Sequence, residues 1–272
     1  MQEQNFAEID GERRMNRRMN FRVMATLLAA LALAGASRAQ APAAAPDNKA
    51  AEATAAQRAH EEQMKNDWPW LGRFKQEDLQ MGAPAAGENR VVFMGDSITE
   101  SWKLDSSFPG KPYVNRGISG QTTPQMVLRF RQDVIDLKPK VVVILAGTND
   151  IAGNTGPMTL EETEGNLASM AELASANGIK VVLCSVLPAY DYPWKPGLEP
   201  AAKIVAVNAW MKRYAAERGF LYVDYHTAMK DARDGLPAAL SSDGVHPNAA
   251  GYAVMTPLAQ AGIEKALGKS RD

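Results

Sequence analysis

Cysteine is nearly absent from this chain and histidine is scarce: 272 residues hold one of the first and three of the second. A single cysteine excludes an intrachain disulfide framework and any cysteine-rich zinc site. Three histidines leave few candidates for a base or a metal ligand. Neither sign of charge dominates, with 30 Lys and Arg against 31 Asp and Glu and a net charge of −1. That balance lacks the electrostatic footprint of a nucleic-acid binder. No apolar run approaches the roughly 20 residues that span a bilayer, so no stable membrane anchor is expected. What is present is ordinary for a globular chain: 46% hydrophobic and 22% charged residues exclude global disorder.

The first 39 residues read as a targeting segment. Arg13, Arg14, Arg17, Arg18 and Arg22 precede an uninterrupted small and apolar run, Val23 to Ala36, and Ser37-Arg38-Ala39 offers small residues at a cleavage site. A basic start, a short apolar stretch and a small-residue cut site are the parts of a secretory signal. Export to the periplasm or the medium is therefore expected, with residues 1–39 removed. Residues 40–58 are Ala/Pro-rich without a large apolar side chain and read as a flexible linker. Residues 59–272 suit one domain with a sizeable core.

That remainder alternates two periodicities. Arg90–Met94, Val141–Leu145 and Lys180–Val186 are β-branched runs apolar on both faces, the pattern of buried parallel strands. Tyr113–Asn115 and Phe220–Val223 are weaker strand candidates. Thr123-Pro124 reads as an N-cap and first helical residue, opening a helix to about Leu137. Thr159 with Glu162 reads as a capping box for a helix running to about Asn177. Further helices are expected over 200–218 and 248–267. Strands alternating with helix-length crossovers imply an α/β fold, a three-layer α/β/α sandwich around a parallel sheet of about five strands. Such sheets carry their sites beyond the carboxyl ends of the strands.

Candidate chemistry sits where those strands end. Gly95-Asp96-Ser97 follows the first strand and sets a hydroxyl at the sheet edge, where it needs a base to become a nucleophile. Asp96 or Ser97 acting only as a helix cap fits that motif equally well. The second glycine of a G-x-S-x-G elbow is missing, which disfavours an α/β-hydrolase site. His60 lies beside the linker and His226 follows the fifth strand. His246 stands three residues after Asp243, close enough for one loop to present both, although an Asp-Gly turn before a helix would read the same way. The carboxylate of such a pair can hold an imidazole's tautomer. Asp243 and His246 lack a third metal ligand at obvious spacing, so no metal and no cofactor is expected. Asn115-Arg116-Gly117-Ile118-Ser119-Gly120 and Gly147-Thr148-Asn149-Asp150 end the next two strands and can offer donors to a developing oxyanion.

Taken in order, these four blocks resemble the SGNH hydrolases, also called the GDSL esterase/lipase family, over about residues 88–268. The platelet-activating-factor acetylhydrolase-like members and the acetylesterases are the most similar in look. The resemblance implies a flavodoxin-like sheet of order 2-1-3-4-5 and a serine ester hydrolase working through an acyl-enzyme. By the same resemblance Ser97 is the nucleophile and His246 the base oriented by Asp243. The Ser97 and Gly117 N–H groups and the Asn149 amide form the oxyanion hole. Ile98 replaces the leucine of the motif's name.

Four aromatics are candidate substrate contacts. Trp102 can wall an acyl pocket or pack in the core with equal justification. Tyr190, Tyr192 and Trp194 lie in the proline-rich segment 188–200, which can stack on a sugar ring or close over an acyl group. The short, partly polar segments around the site favour acetyl or other short acyl esters, with carbohydrate esters as candidate substrates. Longer-chain lysophospholipase or thioesterase activity, and a non-catalytic binding protein on the same fold, are the competing readings. Cys184 reads as a buried filler.

Overall fold

The computed structural model describes residues 48–268. The five expected strands form within it: Val91–Gly95 (β1), Tyr113–Gly117 (β2), Val141–Leu145 (β3), Lys180–Cys184 (β4) and Leu221–Val223 (β5). Every residue of β1 and β3 is buried, as expected of strands apolar on both faces. All pairings are parallel and the order is β2-β1-β3-β4-β5. Gly95 pairs with both Gly117 and Leu145, so the three neighbouring strands β2, β1 and β3 end in register. Residues 96, 118 and 146 therefore leave the sheet side by side, which gathers distant sequence blocks at one edge.

Among the described residues ten α-helices accompany the strands: Asn48–Asn66 (α1), Lys75–Met81 (α2), Ser97–Glu100 (α3), Leu104–Ser107 (α4), Thr123–Phe130 (α5), Thr148–Ala152 (α6), Leu160–Ala176 (α7), Ala201–Arg218 (α8), Tyr225–Met229 (α9) and Ala249–Ala266 (α10). The two-residue alternation of the strands divides the core between two faces. Val92, Met94, Val142 and Ile144 pack under α5, α7 and α8, whereas Val91, Phe93, Val141 and Val143 meet Trp102, Phe108 and α10. Full burial of such side chains contributes about 1.5–3 kcal/mol each, so both faces hold the sheet flat against its helices.

Three local expectations change. Residues 1–39 and 40–47 lie outside the described residues, but the second part of the expected linker is helical, since α1 begins at Asn48. Its alanines, glutamates and glutamines are strong helix formers that need no buried face. The cap of α5 is Thr122, not Thr123: Thr122 is extended and shares a capping box with Gln125. Thr123 instead points inward, donating its N–H and hydroxyl to the Asp150 carboxylate. Finally, α5 loosens into a π-helical turn over Arg131–Ile135, so the expected single helix to Leu137 has two hydrogen-bond registers.

Candidate active site

β1 runs without a loop into α3, and Ser97 is the first residue of that helix. The turn is too tight for a side chain at Gly95, where a Cβ would lie 2.6 Å from the Leu145 carbonyl oxygen and 2.1 Å from Thr99 Oγ1. Asp96 is the N-cap, its Oδ1 accepting the Ile98 N–H at 2.9 Å. The capping reading thus holds for Asp96 and leaves the Ser97 hydroxyl free for other work. The hydroxyl of Tyr252, on α10, donates to the Ile98 carbonyl at 2.7 Å and pins α3 from the other side.

The loop before α10 brings His246 to this edge, with Nε2 3.0 Å from Ser97 Oγ. Its Nδ1 lies 2.7 Å from Asp243 Oδ2. The other carboxylate oxygen of Asp243 accepts the Val245 and His246 N–H groups and the Ser241 hydroxyl at 2.8–3.0 Å. A carboxylate against Nδ1 assigns the ring proton there and leaves Nε2 as an acceptor for the serine hydroxyl. Burial alone would raise the Asp243 pKa, but the His246 ring and these donors together hold it well below the usual carboxylate range. The carboxylate that faces His246 Nδ1 is therefore ionised at neutral pH.

Asn149 lies in α6, after β3. Its Nδ2 donates to the Gln121 carbonyl at 3.0 Å and approaches Asp96 Oδ2 at 3.4 Å, while its Oδ1 accepts from Asn154 Nδ2 at 2.7 Å. Ser97, Asp243, His246 and Asn149 thus converge. Gly117 does not supply the donor expected of it. Its N–H is given to Asn115 Oδ1 at 2.9 Å, and its Cα side faces the backbone of α3, where a Cβ would lie 2.1 Å from Glu100 N. Gly117 is a packing position. Gly120, three residues on, has φ +77 with open space around it, and it precedes the Gln121 carbonyl that Asn149 holds. Among the described residues neither the Gly120 nor the Ser97 N–H donates to a protein acceptor.

A buried cation braces this edge. Arg129 has no exposed surface and pairs with the equally buried Asp133 at 2.9 Å. It also donates to the Gly95 and Arg116 carbonyls and to Gln121 Oε1. One guanidinium thereby ties the ends of β1 and β2 to the segment that carries Gly120. Fixed donors of this kind hold the two strand ends and the Gly120 segment in one geometry. Neither Arg129 nor Asn154 stood out in the sequence, where an arginine inside a helix and a loop asparagine are routine.

The aromatics separate. Trp102 is 2% exposed and packs edge-on against Phe93, so its place is the core and not a pocket wall. Its chain position after Ser97 faces the sheet, because α3 turns it under α10. Tyr190 is half-exposed beneath the Arg233 guanidinium. Tyr192 is fully buried and stacks at 5.0 Å on Trp194, whose ring centre lies 6.1 Å from that of His246. Asp191 closes the loop by accepting the N–H groups of Tyr192, Gly197 and Leu198. Trp194 is thus the one of the four presented to the histidine, and Tyr192 backs it.

His226 sits away from this group in α9, with burial pushing its pKa down. Burial pushes the Cys184 thiol up to about 12, consistent with an inert filler. Among the described residues no three His, Cys, Asp or Glu side chains gather to hold a metal, and no helix is long and apolar enough to cross a membrane.

A serine, an imidazole and a carboxylate in this geometry, beside unpaired N–H donors, can carry out acyl transfer. Residues 93–254 match the GDSL-like lipase/acylhydrolase family. The chain belongs to that family. It is 28% identical over 204 residues to the acetylxylan esterase of Geobacillus stearothermophilus, covering 61% of this chain and 90% of that enzyme. It is likewise 28% identical over 176 residues to esterase TesA of Pseudomonas aeruginosa, across 60% of this chain and 81% of the relative. The crystal structure of a GDSL-like lipase from Bacteroides thetaiotaomicron superposes with a TM-score of 0.71 at 45% identity, covering 74% of this chain and all of that one. This GDSL-family protein is a carboxylic ester hydrolase.

Proposed function

We propose that Ser97, His246 and Asp243 are the catalytic residues and that the natural substrates are short-acyl esters, acetyl esters of carbohydrates foremost. The observation that carries the roles is the unbroken chain from Ser97 Oγ to His246 Nε2 and from His246 Nδ1 to Asp243. His246 takes the Ser97 proton as the oxygen attacks the acyl carbon, and the imidazolium is stabilised by Asp243. The oxyanion is received by the Ser97 and Gly120 N–H groups and by Asn149 Nδ2. Gly120 takes the place first given to Gly117, whose N–H is already spent. His246 then protonates the departing alcohol, and water repeats the sequence on the acyl-enzyme to release the acid.

Short acyl groups are supported by what surrounds the serine. Ile98, Thr99 and Trp102, which follow it, are buried in packing and so are not surface available to a long acyl chain. The acetylxylan esterase relative supports the carbohydrate assignment. The basic and apolar start of the chain supports export with cleavage near residue 39. The test is a series of p-nitrophenyl esters from acetate to octanoate, with acetylated xylo-oligosaccharides alongside. A kcat/KM that falls with chain length fits this reading. A rise of roughly threefold or more per added pair of methylenes, each worth up to ~0.8 kcal/mol when buried, would assign the longer-chain activity instead.

A further inference from the structure

Beyond Trp194 the surface sinks into a cavity of about 320 Å³, within the size range of small-molecule clefts. Trp194, Gly120 and Asn154 form its catalytic side, and Gln63, Trp68 and Trp70 form the opposite wall. That second wall comes from the end of α1 and the turn after it, before the residues that match the family. Nothing in the hydrolytic chemistry requires it.

The turn is built with care. The Asp67 carboxylate accepts the Leu71 and Gly72 N–H groups at 2.8 Å each. Trp70 holds φ +57, a region that bulky residues rarely enter and that persists only where the surroundings enforce it. Gln121 Nε2 donates to the Pro69 carbonyl at 2.8 Å and Gln125 Nε2 to the Trp68 carbonyl at 2.7 Å. Both glutamines belong to the segment that carries Gly120, so the two indoles are fixed directly to the catalytic edge. Across the cavity, Trp194 Nε1 donates to Asn154 Oδ1 at 3.1 Å. The N–H donors of Gln121, Gln125 and Trp194 are thus spent within the protein, which fixes the walls before a ligand arrives.

We infer that this cavity is a subsite for a neutral pyranose ring on the alcohol side of the ester, an inference that rests on the esterase reading of Ser97. Three indoles supply flat apolar faces of the kind that cover the C–H faces of a sugar ring. No Lys, Arg, Asp or Glu lines the cavity and His60 is its one titratable side chain, so a phosphate or carboxylate would meet no permanent counter-charge. A fatty chain would meet the polar edges of Gln63, Ser119 and Thr155. A sugar hydroxyl, which donates and accepts, suits those edges. Gln63 Nε2 is held by the Asp67 carbonyl while its Oε1 has no partner, which leaves that oxygen as an acceptor for a hydroxyl.

Two measurements test the subsite. The first is an NMR titration of the wild-type protein with xylotriose, which carries no ester. The indole N–H signals of Trp68, Trp70 and Trp194 should move together, while those of Trp102 in the core and Trp210 on α8 stay in place. Silence of Trp68 and Trp70, or stronger movement with phosphocholine or octanoate, would overturn the proposal. The second is kinetic: Trp68→Leu should raise KM for acetylated xylotriose about tenfold, with kcat changed less than about twofold. An unchanged KM in the folded variant would overturn it as well. Absence of ethyl acetate hydrolysis by the wild-type protein would instead contradict the esterase reading, and the xylotriose titration is independent of that outcome.

Discussion

Asn154 donates its side-chain amide to Asn149 Oδ1 at 2.7 Å, and so decides which end of the Asn149 amide is which. With Oδ1 engaged, Nδ2 must face Gln121 and Asp96, beside the serine. The Asn154 N–H also caps the Asn149 carbonyl at 3.0 Å, so the two residues move as one unit.

From that relationship follows a graded pair of effects. Asn149→Ala should lower kcat by about 10²-fold, on the order of 3 kcal/mol, because the donor acts only where negative charge develops. Asn154→Ala leaves the donor in place but free to turn, and should cost about tenfold in kcat with KM nearly unchanged. Steady-state kinetics on p-nitrophenyl acetate separates the two. Equal losses, or an effect of Asn154→Ala confined to KM, would remove its positioning role.

Two glycines three residues apart should fail differently. Gly117→Ala forces a methyl group to within 2.1 Å of the Glu100 nitrogen, so the defect belongs to folding and lowers Tm. Gly120→Ala has room but occupies φ +77, which costs roughly 1 kcal/mol or more and disturbs the N–H. It should retain a cooperative transition while losing kcat. Thermal melts beside kinetics show whether the assignments are the right way round.

The histidines give a clean contrast. His246→Ala should abolish measurable ester hydrolysis, whereas His226→Ala should keep most of it and lose some stability, since His226 packs in α9. Similar activity losses in both variants would place the base wrongly.

Asp96 ties the site to pH. Burial pushes its pKa up to about 7, while the Ile98 N–H and His246 partly offset that rise. A carboxyl with a raised pKa in the folded state binds more protons there than when unfolded. Its contribution therefore falls as pH rises from about 4 to 7, by an amount on the order of 4 kcal/mol. Asp96→Asn should gain stability over wild type across that window and show a flatter pH dependence. Urea titrations at pH 4.5 and 7 test the sign: a constant difference between the two proteins would contradict the raised pKa.

Much of this was legible beforehand because it rests on local patterns. The all-apolar runs at Val91, Val141 and Val181 reveal buried parallel strands, and Thr159 with Glu162 announces its helix. The pairing of Ser97 with His246 is implied by the family resemblance of the blocks, whereas the gathering of the Ser97, Gly120 and Asn149 segments follows from parallel strands ending at one edge. Other features depend on long-range geometry that local residue types do not encode. Gly117 and Gly120 look alike in sequence, and only the closeness of α3 separates packing from an available N–H. Trp102 could face either way until α10 covered it. Arg129 reads as one charge on an amphipathic helix, yet it is the buried tie between two strand ends. The helix at Asn48 was hidden because alanines without an apolar face satisfy a helix and a linker equally.

The most direct test of the account is hydrolysis of p-nitrophenyl acetate by a folded Ser97→Ala protein, with circular dichroism confirming the fold. Removing one member of a serine–histidine–aspartate unit disables the whole, so turnover should fall by roughly 10³-fold or more, to near background. Wild-type-like turnover in that protein would contradict the assignment of Ser97 as the nucleophile.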